Sequence, residues 1–127
     1  VLGSAQVASI EYAIEHLGAK LVVVMGHESC GAVKAALSAK PKVSSGSPDL
    51  DWLVGSIQPN LMGRTLASAS SSDPNFRQPV MANVDAVMEQ LLVRSKIVEH
   101  AMHEGHLKVV RGIYSLESGK VDFWGLK

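Results

Sequence analysis

Leu21-Val-Val-Val-Met-Gly-His27-Glu-Ser-Cys30-Gly31-Ala-Val-Lys-Ala-Ala36 carries an apolar, β-branched run into a glycine. A histidine and a cysteine follow three residues apart, then a second glycine and helix-forming residues. That order predicts a strand over 21–25, a tight loop and the start of a helix. With both of its faces apolar, the strand is expected to be fully buried, as in a parallel sheet. His27 falls just past the strand's C-terminal end and Cys30 in the first turn of the helix, where α/β sheets carry their chemistry. An imidazole nitrogen with a thiolate sulfur is a zinc-type ligand pair, although zinc takes four ligands and His-x-x-Cys supplies two. The positive end of the helix dipole favours the thiolate, and Gly31 lets backbone approach closely.

Upstream, Val7, Ile10, Ile14 and Leu17 fall on one helical stripe, with Ser4 as N-cap and Gly18 as the stop. Downstream, a second helix is expected from about Ala32 to Ala39, ended by Pro41, and 41–49 reads as a loop. Leu50, Leu53, Ile57 and Leu61 again have helical spacing, and Pro59 is expected to kink or split that element. Residues 67–75 are a low-complexity surface loop. Val80, Val84, Val87 and Leu91 mark a longer helix. It continues after a break near Arg94-Ser95, through Ile97, Val98 and Met102, to Gly105. The end reads as a hairpin: strand Leu107–Tyr114, a turn at Glu117-Ser-Gly119, and strand Val121–Trp124. Helices alternating with strands give an α/β fold with a central, mainly parallel sheet flanked by helices, as a single domain over residues 1–127.

The chain has 127 residues, 46% hydrophobic and 19% charged, which suits a folded domain with its own core. Twelve Lys+Arg balance twelve Asp+Glu, so no electrostatic case exists for nucleic acid or an anionic membrane. No apolar run approaches the roughly 20 residues that span a bilayer. The single Cys excludes an internal disulfide and suits a reducing compartment such as the cytoplasm.

Four ordered segments resemble the β-class carbonic anhydrases. They are Ala8–Gly18; Val23–Val33 with its Gly-His-x-x-Cys-Gly motif; Asn83-Val84 with Leu91 and Ile97; and Gly112–Val121. The resemblance implies a zinc enzyme that hydrates CO2 to bicarbonate, with His27 and Cys30 as metal ligands and Gly31 on the substrate side. Zinc would lower the pKa of a bound water toward about 7. It also implies a homo-oligomer, dimer or tetramer, with CO2 and bicarbonate as the small-molecule partners. The family's other half-site, a Cys-x-Asp-x-Arg segment, does not occur in these 127 residues. The expectation is therefore the C-terminal part of such an enzyme, N-terminally incomplete, with no catalytic residue of its own beyond the ligand pair.

Other readings stand beside this one. The same fold could act on CS2 or COS, or be a non-catalytic module. Cys30 could be a redox thiol or a small buried hydrophobe, and His27 a loop histidine. Glu28, between the two ligands, is expected to be solvated, and His16, His100, His103 and His106 to lie on solvated helix faces or ends. Tyr114 matches a family position beside the active site or is an interior strand aromatic. Asn83 either acts in the site or satisfies a backbone group. Trp52, Phe123 and Trp124 read as packing or subunit-contact residues.

Overall fold

The computed structural model describes residues 1–39, 44–62 and 76–125. Pro41 and the 67–75 segment lie outside the described residues. The element order is α1 (Ser4–Leu17), β1 (Leu21–His27), α2 (Gly31–Ser38), α3 (Pro48–Leu61), α4 (Arg77–Arg94), α5 (Lys96–His103), β2 (Lys108–Tyr114) and β3 (Val121–Trp124). The sheet runs β1-β2-β3. β1 and β2 are parallel, from Leu21 opposite Lys108 to His27 opposite Tyr114, and β3 returns antiparallel to β2. The α/β class, the parallel pairing of the first strand and the terminal hairpin all agree with the sequence reading.

Local chemistry sets the boundaries. Gly18 adopts φ 68°, and the N–H of Ala19 reaches back to the carbonyl of Ala13 at 3.0 Å, a left-handed helix stop. The N-cap of α1 is Gly3 rather than Ser4, which is already helical, and no side chain caps that end. Ser47 caps α3 by accepting from the Leu50 N–H, so Pro48 and Asp49 belong to the helix rather than to the preceding loop. Pro59 sits inside α3 without dividing it. The carbonyl it leaves unbonded is that of Gly55, and both residues are exposed, so water can reach the gap. The break between α4 and α5 is at Ser95, which is fully buried. Its hydroxyl accepts from the Val98 N–H at 3.2 Å, capping α5, and donates to Glu11 of α1 at 2.6 Å.

β1 corrects the expectation of a fully buried strand. It alternates, with Leu21, Val23, Met25 and His27 exposed and the residues between them half-buried. Val22 and Val24 pack with Val7 of α1, Leu91 of α4, Val98 of α5 and Val109 of β2. Farther along the sheet, Ile113 joins Val33, Ala36, Ile57, Leu61 and Val80. By register, all of these strand residues share one face, and the helices lie on it. The opposite face carries Leu21 at 55% exposure, Met25 at 54% and Phe123 at 49%. A run apolar at every position cannot announce which side a helix will cover.

Gly26 shows how tightly α4 crosses the covered face. A Cβ there would lie 2.5 Å from Val80 Cγ1 and 2.9 Å from Val84 Cγ2. The glycine is required by close approach rather than by backbone angle. At the far edge, Asp85 of α4 accepts from Arg111 of β2 at 2.8 Å and from the Trp124 indole of β3 at 3.0 Å. One carboxylate thus ties the hairpin to the helix.

Candidate metal centre

His27 is the last residue of β1 and lies on the uncovered face, opposite Tyr114. Its Nδ1 is 2.9 Å from the backbone oxygen of Glu28. A carbonyl can only accept, so Nδ1 is the donor, and in the neutral ring this leaves the lone pair on Nε2. That tautomer, with the second nitrogen bonded to backbone, is the one a metal-ligating histidine uses.

Glu28 continues the strand's alternation and turns to the helix side. It is 7% exposed, and its carboxylate is hydrogen-bonded to the Arg77 guanidinium at the start of α4. This corrects the expectation of a solvated Glu28. Its pairing partner is 49 residues away, beyond any local signal. The Glu28 N–H donates to the Tyr114 carbonyl at 2.9 Å, extending the β1–β2 ladder by one bond. Arg77 also reaches Asp122 of β3 at 2.7 Å. Its bonds to Glu28 first, then to Asp122, hold the guanidinium still more firmly protonated than usual.

Ser29 then reverses the chain with φ 54°, a left-handed angle that costs a non-glycine residue roughly 1 kcal/mol or more. Cys30 follows as the N-cap of α2, in extended backbone rather than in the first turn. Its carbonyl accepts from Lys34 N at 3.0 Å, while its side chain makes no capping bond. The thiol is half-buried and rests against the cluster around Val33 and Ala36. Gly31 opens α2 with nothing within 4 Å of where a Cβ would stand, which leaves open space at the helix start.

Among the described residues, the loop therefore presents one nitrogen and one sulfur without hydrogen bonds to other side chains, a donor pair of the zinc type. Among the described residues, no group of three or more His, Cys, Asp or Glu could hold a metal ion. His16, His100, His103 and His106 are exposed, as expected. Asn83 accepts from Asn60 at 2.8 Å, and Asn60 in turn accepts from Gln90 at 2.7 Å, an amide chain joining α3 to α4. Trp52 is exposed, and Trp124 is held by Asp85. Sequence reading missed Arg77 altogether. The only available hint was the period-two pattern of β1, which points Glu28 inward.

Comparison with known proteins places this geometry. A family model described as carbonic anhydrase matches residues 3–121. The carbonic anhydrase of Mycolicibacterium smegmatis is 34% identical over 122 residues, covering 96% of this chain and 57% of that protein. The β-carbonic anhydrase of Coccomyxa, solved with acetazolamide, superposes with a TM-score of 0.78 at 27% identity, covering 93% of this chain and 52% of that one. One of two tetrameric β-carbonic anhydrases of Sordaria macrospora superposes at 0.75 with 25% identity, covering 97% and 61%. The chain spans about half the length of the curated relatives it matches, from 42% to 57%.

Proposed function

The chain belongs to the carbonic anhydrase family, and on that premise we propose that it carries half of a zinc site for the reversible hydration of CO2 to bicarbonate. The observation that supports this most directly is the His27 ring, whose Nδ1 is bonded to the Glu28 carbonyl and whose Nε2 is left for a metal. His27 and Cys30 are the two ligands. Bound zinc supplies Lewis acidity that brings the ionisation of a water toward neutral pH. The residues of this chain do the rest of what the half-site needs. The Glu28 carbonyl fixes the imidazole, the helix start holds the sulfur, and Gly31 leaves room on the approach side.

Two protein ligands hold zinc weakly, because half the tetrahedron is left to water or to groups from elsewhere. The remaining donors are groups that these 127 residues lack, of the Cys-x-Asp-x-Arg kind, supplied on the same or another polypeptide. Self-association as a dimer or tetramer belongs to the same proposal. Its support is the uncovered apolar face of the sheet, since patches of that kind mark interaction surfaces.

Stopped-flow CO2 hydration, with zinc content measured in parallel, tests the reading. The 127-residue chain alone should show little activity and little zinc. A longer polypeptide that adds a Cys-x-Asp-x-Arg segment should hold one zinc per chain and be active. Cys30→Ser in that polypeptide should abolish both, because a neutral hydroxyl is a far poorer ligand than a thiolate. Full activity from the short chain would mean that other residues complete the site. A longer polypeptide with neither zinc nor activity would make this a non-catalytic member of the fold.

A further inference from the structure

Three hydrogen bonds converge on Glu28, and each holds a different part of it. Its N–H is fixed by the Tyr114 carbonyl at the end of β2. Its side chain is buried and fixed by Arg77. Its carbonyl oxygen receives Nδ1 of His27. Arg77 is itself held from the other side by Asp122 on β3, 2.7 Å away. A path of contacts therefore runs from the hairpin, through a guanidinium and a buried carboxylate, to the peptide that orients the imidazole.

We propose that Arg77 and Glu28 form a positioning pair that sets the tautomer and orientation of His27 from behind. The inference rests on the reading of His27 as a metal ligand for its purpose, but not for its geometry. An isolated neutral imidazole is free to carry its proton on either nitrogen. Here the carbonyl of a residue pinned at both its N–H and its side chain selects Nδ1. Removing the guanidinium leaves a buried carboxylate without this partner. Glu28 then rotates toward solvent and takes its carbonyl away from the ring. Lysine cannot replace arginine fully, because one ammonium lacks the planar fork that reaches Glu28 and Asp122 together. Partners of this kind behind a ligating histidine are typically worth about 10- to 100-fold in metal affinity.

The test reads the histidine directly. Nitrogen-15 spectra of the imidazoles are recorded on the metal-free chain at about pH 8.5, two units above the ordinary imidazole pKa of about 6.5. The unaltered chain should show His27 protonated on Nδ1. Arg77→Gln should return it to a mixture of tautomers, and Arg77→Lys should recover part of the Nδ1 form. His16, His100, His103 and His106, which are far from the pair in sequence and exposed, serve as internal controls and should not change. Should Arg77→Gln fail to fold, the double variant Glu28→Gln with Arg77→Gln also removes the buried negative charge, by an isosteric change at Glu28, and should show the same loss. Cobalt(II) titration followed by the thiolate-to-metal absorption should give about 10-fold weaker binding in the same variants. A His27 that is protonated on Nε2 in the unaltered chain, or unmoved in every folded variant, overturns the inference even if the metal binds. Loss of Nδ1 protonation in a chain that binds no cobalt upholds the positioning pair and removes the zinc reading instead.

Discussion

The two faces of the sheet are built from nearly the same residue types and have opposite fates. On one face, Val22, Val24, Val109 and Ile113 meet α1, α4 and α5 or the cluster around Val33 and Ile57, and Ile113 is fully buried. On the other, Leu21, Val23, Met25 and Phe123 are exposed. Hydrophobicity alone did not choose between them. Close approach did: Gly26 lets α4 lie almost on the backbone of β1, and the Asp85 carboxylate ties the same helix to Arg111 and Trp124. A face becomes the core when something on it fits.

Truncation should separate the faces most strongly. Ile113→Ala removes a fully buried side chain and should cost about 2–5 kcal/mol in denaturant unfolding. Met25→Ala, on the uncovered side, should stay within about 0.5 kcal/mol for the isolated chain. Equal losses would mean that the uncovered face is occupied in solution.

Adding a methyl group sharpens the same contrast at smaller scale. Gly26→Ala drives a Cβ into Val80 and Val84 beneath a packed helix, and overpacking of this kind costs about 1–3 kcal/mol. Gly112→Ala meets Val121 Cγ1 at 2.9 Å and the Phe123 ring at 3.3 Å, on the side where Phe123 is exposed and can move. Its melting temperature should fall by less than that of Gly26→Ala, and the reverse order would refute the assignment of the faces.

Charge tests association rather than folding. Met25→Lys should shift sedimentation at micromolar concentration toward the 13.5 kDa monomer, and should lower the unfolding midpoint only at concentrations where the unaltered chain associates. Unaltered sedimentation would place any self-contact elsewhere.

The smallest effect belongs at the ligand loop. Ser29→Gly relieves a left-handed angle but adds freedom to the unfolded chain, so the net change in stability should be no more than about 1 kcal/mol. A larger loss would show that the Ser29 side chain holds the loop.

What the sequence disclosed, and what it hid, divides along the range of the signal. The Gly18 stop, the break at Ser95 and the hairpin each follow from residues within a turn of the feature they cause, whereas β1 runs two residues beyond the expected 21–25 and ends on His27 itself. His27 and Cys30 stood out as candidates because their glycine flanks sit beside them. The burial of Glu28 depends on Arg77 on another element, and no pattern near Glu28 names that partner. The bare side of β1 was hidden for a different reason, since Leu-Val-Val-Val-Met reads identically from both sides. Pro59 does not split its helix, where the carbonyl it leaves without a partner is solvent-exposed.

The parallel pairing of β1 with β2 also sets an order of events. Leu21 lies beside Lys108, and α2, α3, α4 and α5 all fall between the two strands in the chain. Only the β2–β3 hairpin can close locally. The β1–β2 ladder must wait until a long excursion has been folded back, and closing it costs entropy before any strand contact is gained. Arg77, Tyr114 and Asp122, which hold Glu28 or its guanidinium, all lie beyond β1 in the chain. By that argument the bonds that shape the His27 loop form late, and a chain caught partway through folding carries His27 and Cys30 without the loop geometry that orients them.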